Sequence, residues 1–81
     1  MPVQQLPQPS PEAVRMMEGA AVRARAARLL TATDHTQAAD SPLTEAQRTE
    51  VVAYRQALRE VLPEGADPFA VAWPDTPACL K

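Results

Sequence analysis

The sequence predicts an all-α chain of two helices, about 11–31 and 45–62, joined by a polar connector and flanked by extended proline-rich segments. Three observations carry this. The nine prolines crowd toward the two ends, and none lies between Pro11 and Pro42. The proline-free stretch is rich in alanine and arginine, both strong helix formers. A second start signal, Thr44-Glu45-Ala46-Gln47, has the spacing of a capping box.

Pro2, Pro7, Pro9 and Pro11 each fix φ and remove a backbone donor, so residues 1–10 read as an extended N-terminal arm. Ser10-Pro11-Glu12 then places an N-cap hydroxyl, a proline at the first helical position and a carboxylate near the positive end of the helix dipole. Gly19 is the weak point of the first helix, costing about 1 kcal/mol against alanine. At 100° per residue, Ala13, Met17, Ala20, Ala24 and Ala27 form one apolar stripe, while Val22, Ala26 and Leu29 lie near the opposite side. A helix apolar on two sides calls for two neighbours, and small residues on the first stripe admit close approach of another backbone.

From about Ala32 to Leu43 the chain turns to Thr, Asp, His, Gln, Ser and Pro, a connector built on local side-chain to backbone hydrogen bonds. On the second helix Val51, Tyr54, Leu58, Val61 and Leu62 make one apolar stripe, with Arg48, Arg55 and Arg59 beside it within about 40°. Pro63 stops that helix. Beyond it, Gly65, Pro68, Pro74 and Pro77 break up a tail whose Phe69, Val71 and Trp73 alternate, so one side suits a groove of the helices or of a partner. Residues 11–77 thus read as one small helical domain ending in an extended Trp-Pro tail, with 78–81 as the C-terminal end.

A domain of 81 residues buries little surface, and the 4% aromatic content leaves much of the 46% hydrophobic fraction to alanine. A partner or a second copy is the expected complement. The net charge of −2 provides no cationic field for nucleic acid or an anionic membrane. No apolar run approaches the roughly 20 residues of a membrane span. The first residues lack the basic and apolar regions of a signal peptide. We expect a soluble protein made in the cytoplasm.

Candidate chemistry is sparse. His35 stands between Asp34 and Thr36, but three adjacent residues do not converge as a catalytic triad, so a loop histidine is expected. The carboxylates have neither calcium-loop nor paired-acid spacing, and Cys79, the sole cysteine, can form neither an internal disulfide nor a thiolate metal cluster. No catalytic, metal or cofactor site is expected. Met16 and Met17 read as packing residues. The arginine row beside Tyr54 has two readings, an interface hot spot or a solvated face paired with local carboxylates. A DNA-binding helix-turn-helix needs a connector of about 3 to 4 residues, far shorter than this one.

Leu29-Leu30, then Asp34, Thr36, Gln37, Asp40, Pro42 and Leu43, then Tyr54-Arg55-Gln56, Leu58 and Arg59, and finally Val71, Trp73, Pro74 and Pro77 form an ordered series. In order and spacing this series resembles the phage tail assembly chaperone family. The family pattern has tryptophan where this chain has His35 and Val51, and aspartate where it has Glu60. These departures remove two large contact groups and leave the identity of the partner open.

The resemblance implies a phage or prophage tail-fibre assembly chaperone. It would bind a trimeric tail-fibre protein and assist its folding, oligomerisation or attachment without catalysis, in the host bacterial cytoplasm during assembly. An alternative of another class is a permanent minor virion protein that caps or joins fibres at the baseplate, and so resides in the virion tail. The expected partner-binding residues are Val51, Tyr54, Arg55, Leu58, Arg59, Phe69 and Trp73.

Overall fold

A computed structural model describes residues 7–81. Of the expected N-terminal arm, residues 1–6 lie outside the described residues. The described chain is all-helical: α1 spans Pro11–Thr33 and α2 spans Glu45–Arg59, with short 3-10 turns at Asp34–Gln37 and Ala78–Leu80.

The start of α1 follows its sequence signal. Ser10 sits in extended backbone and its side-chain oxygen accepts a hydrogen bond from the Ala13 amide at 3.0 Å. This satisfies one of the amides that a helix start leaves without a partner. The helix runs two residues further than the composition indicates. Its last turn is held from outside, since Arg55 donates to the Leu30 carbonyl at 2.7 Å and to Thr33 Oγ1 at 2.7 Å.

The start of α2 is a full capping box. Thr44 Oγ1 accepts from the Gln47 amide at 3.1 Å, and Gln47 Oε1 accepts from the Thr44 amide at 2.9 Å. The helix stops at Arg59, three residues before the position the apolar stripe suggested. Pro63 has no N–H to offer the Arg59 carbonyl and disfavours helical backbone at Leu62. The chain therefore tightens, with Val61 N–H bonding the Leu58 carbonyl at 3.4 Å.

The helices pack antiparallel. Arg55 meets Leu30 and Thr33 at one end, Leu58 and Leu62 share a cleft with Ala26 and Leu30, and Leu62 lies 3.8 Å from where a Cβ on Gly19 would stand. The buried apolar residues are Val22, Ala26, Val51, Tyr54 and Leu58. Of the two stripes on α1, the one holding Val22 and Ala26 is covered, with Leu29 half-buried. Along the other, Met17, Ala20, Ala24 and Ala27 are exposed and Ala13 is half-buried.

The connector is pinned by Arg48. Its Nε donates to the Leu43 carbonyl at 3.2 Å, and Nη2 donates to the carbonyls of Ser41 at 2.7 Å and Ala39 at 3.4 Å. Thr36 Oγ1 bonds the Thr33 carbonyl at 2.6 Å, the local kind of bond the composition predicts.

After α2 the chain turns at Pro63–Ala66, where the Ala66 amide donates to the Pro63 carbonyl at 3.0 Å and Gly65 takes φ of 82°. That value suits the third position of a type II turn, which glycine enters without strain. Residues 67–77 then form no helix or strand and lie along both helices.

Candidate functional site

The seven residues expected to meet a partner fall into two groups. Val51 is 0% exposed and Leu58 is 1% exposed, and Tyr54 is buried with them. Their 3- and 4-residue spacing puts them on one face of α2, and that face is covered by α1 and the tail. In this fold they make the core.

Arg55 joins them from the edge of the same face. It is 6% exposed, and its guanidinium reaches three oxygens: the Leu30 carbonyl, Thr33 Oγ1 and Asp34 Oδ1, the last at 2.8 Å. A buried arginine needs such partners, because removing its charge from water costs several kcal/mol. The Asp34 side chain is mostly exposed, so the neutral oxygens of α1 supply most of the compensation. Nε is buried without a hydrogen-bond partner among the described residues. Arg55 is thus a latch between the end of α1 and the middle of α2.

The arginine row therefore splits by neighbour. Arg48 ties the connector and Arg55 latches the helices, while Arg59 remains exposed. Arg55 pairs with Asp34 as the bland reading of the row expects, although its burial separates it from a solvated face.

Phe69 and Trp73 belong to the tail. Phe69 is 57% exposed, its amide donating to Asp67 Oδ1 at 3.0 Å. Trp73 is half-buried, with the Arg25 guanidinium carbon 4.1 Å from its ring centroid. A cation over an indole face at this distance gains about 0.5–1 kcal/mol when partly exposed. Asp67 also faces Arg15 at 3.5 Å, with both side chains about half exposed, a pair worth little in water.

Four exposed large apolar side chains, Val14, Met16, Met17 and Val52, lie outside the expected set. Met16 is 71% exposed, and Met17 and Val52 are more than half exposed. Met16, expected to pack, instead lines a shallow cleft with Pro68 and Leu62 at the open end of the helix pair. The clue available in the sequence was length: the first helix is longer than the second, so its first turns have less to cover them. Arg25 carries no sequence signal, since its partner Trp73 stands 48 residues further on and the alternation of the tail does not say what its rings meet.

His35 and Cys79 line one cleft with Tyr54 and Lys81. Among the described residues, no group of three or more His, Cys, Asp or Glu is placed to hold a metal ion. No helix among them is long and apolar enough to cross a membrane.

The model of the phage tail assembly chaperone protein family matches residues 19–78, from the middle of α1 to the closing turn. The chain belongs to this family. Membership implies a protein partner in phage tail assembly. No curated protein and no solved structure matches the chain.

Proposed function

We propose that the chain binds a phage tail-fibre protein in the host cytoplasm and assists its folding, oligomerisation or attachment without catalysis. Exposed apolar side chains on a very small core carry this reading. Five apolar residues are buried, while Met16, Met17, Val52 and Phe69 stay exposed. Burying those groups against a partner would gain roughly 25 cal/mol per Å² of apolar area. Methionine adapts to irregular surfaces, which suits a partner that is still folding.

In this reading the contact surface is Phe69, Trp73 and Arg59 with Met16, Met17 and Val52. Val51, Tyr54, Arg55 and Leu58 hold the shape that presents it. Shielding apolar surface on a fibre subunit prevents its aggregation until it trimerises, and needs neither ATP nor a covalent step.

Co-expression with the fibre protein is the test. We expect higher soluble yield and more fibre trimer with the chain than without it, and a loss of that gain in a Met16→Ser, Phe69→Ser variant that keeps its helical circular dichroism. Equal yields with and without the chain would refute the chaperone role. Mass spectrometry of purified particles checks release, which predicts absence of the chain from the virion.

A further inference from the structure

The tail is tied to the helices by side chains alone. Within residues 63–81 the backbone–backbone hydrogen bonds are Ala66 to Pro63, Ala70 to Asp67, Leu80 to Pro77 and Lys81 to Ala78, all local. Among the described residues no backbone hydrogen bond joins the tail to α1 or α2. Pro68 is buried in the cleft of Met16, Gly19 and Leu62, and two polar side-chain contacts fasten the tail to α1, Asp67 on Arg15 and Trp73 under Arg25. The two polar contacts are partly exposed and weak, so the buried Pro68 is the firmest point of the attachment.

Charge runs the same way as these contacts. The segment 60–81 carries Glu60, Glu64, Asp67 and Asp75 against Lys81, whereas α1 carries Arg15, Arg23, Arg25 and Arg28 against Glu12 and Glu18. An acidic, proline-broken segment with one indole thus rests on a basic helix. Tyr54 and Ala57 of α2 border the same cleft as Pro74 and Pro77. The surface beneath is therefore apolar in the middle and cationic along α1, which selects for its present occupant's chemistry.

We propose that the face of α1 and α2 under residues 66–77 is a docking site for an extended segment of the partner protein. That segment is acidic, interrupted by proline, and carries one aromatic ring for Arg25. The chain's own tail holds the place until the partner segment displaces it and frees Phe69 and Trp73 to meet the partner. An internal occupant with only local backbone bonds comes away without breaking any hydrogen bond to the helices. The inference rests on the partner-binding reading and names the kind of segment bound.

The test uses the full chain and, as probe, a synthetic peptide of residues 66–81. Trp73 is the only tryptophan, so a full-length Trp73→Ala variant is free of indole and the peptide supplies the sole ring. We expect the peptide to bind this variant at least ten-fold more tightly than it binds wild type, whose site is occupied, with a blue shift of indole emission on binding. Trp73→Phe should fall between the two. Adding Arg25→Ala to Trp73→Ala should weaken peptide binding about two- to five-fold.

Far-ultraviolet circular dichroism establishes that each variant keeps its helices. If Trp73→Ala loses them, the Phe variant carries the comparison. Equal affinity for wild type and the ring variants, or equal binding with and without Arg25, would overturn the proposal. A wild-type dimer at micromolar concentration that dissociates in Trp73→Ala would assign the site to a second copy's tail and overturn it as well. No fibre protein takes part, so failure here leaves the chaperone reading standing, and failure of co-expression leaves this site standing.

Discussion

Replacing Arg55 with alanine should strongly destabilise the protein, and the size of the loss follows from three contacts. The guanidinium donates to the Leu30 carbonyl and Thr33 Oγ1 at 2.7 Å each, and to Asp34 Oδ1 at 2.8 Å. A hydrogen bond from an ionised donor contributes about 1.5–3 kcal/mol when buried. The Asp34 side chain is 63% exposed, so water replaces much of that bond and its share is at most about 1 kcal/mol. Thr33 Oγ1 also bonds the Leu29 and Leu30 carbonyls, so it is not orphaned when the arginine goes. The net expectation is a loss of about 3 kcal/mol, mostly from the α1 oxygens and the emptied volume. Urea titration followed by circular dichroism at 222 nm checks it. With an m-value of about 1 kcal/mol/M, the midpoint falls by about 3 M. Asp34→Asn should move it by less than about 1 M. A change under about 0.5 kcal/mol for Arg55→Ala would refute the latch, because neutral surface substitutions fall within that range. Equal losses for Asp34→Asn and Arg55→Ala would assign the energy to the exposed ion pair instead.

Three further outcomes are expected. Leu58→Ala removes a side chain that is 1% exposed and should cost about 2–5 kcal/mol, read as a lowered midpoint in the same titration. Thr44→Ala removes the Oγ1 that accepts from the Gln47 amide, leaves the Thr44 N–H to Gln47 Oε1 bond in place, and should cost about 0.5–2 kcal/mol, with increased amide hydrogen exchange confined to the first turn of α2. Gly65→Ala meets no atom within 4 Å, so its cost is the backbone strain of φ 82° alone, about 1–2 kcal/mol in the thermal midpoint.

The helices were legible because their ends are written in local chemistry. Ser10 and Thr44 act on amides three residues away, a distance visible in sequence. The stripe of Val51, Tyr54 and Leu58 was equally plain, yet periodicity shows only that a face is apolar and does not say what covers it. Here the chain covers it with its own α1 and tail. Arg55 was harder, because its partners stand 21 to 25 residues away and no local rule links them. The end of α2 was overestimated for a related reason: Val61 and Leu62 fit the stripe, but Pro63 withdraws the hydrogen bond that would have extended the helix. Phe69 and Trp73 share the alternation of the tail, yet one is exposed and the other rests on Arg25.

The latch also sets an order of events during synthesis. Leu30 and Arg55 are 25 residues apart, and translation at about 5–20 residues per second separates their appearance by roughly 1–5 s. Through that interval the last turn of α1 has no guanidinium to receive its oxygens. The nascent helix then relies on its alanines, its arginines and the Ser10 cap, and it becomes a finished platform only when the middle of α2 has left the ribosome.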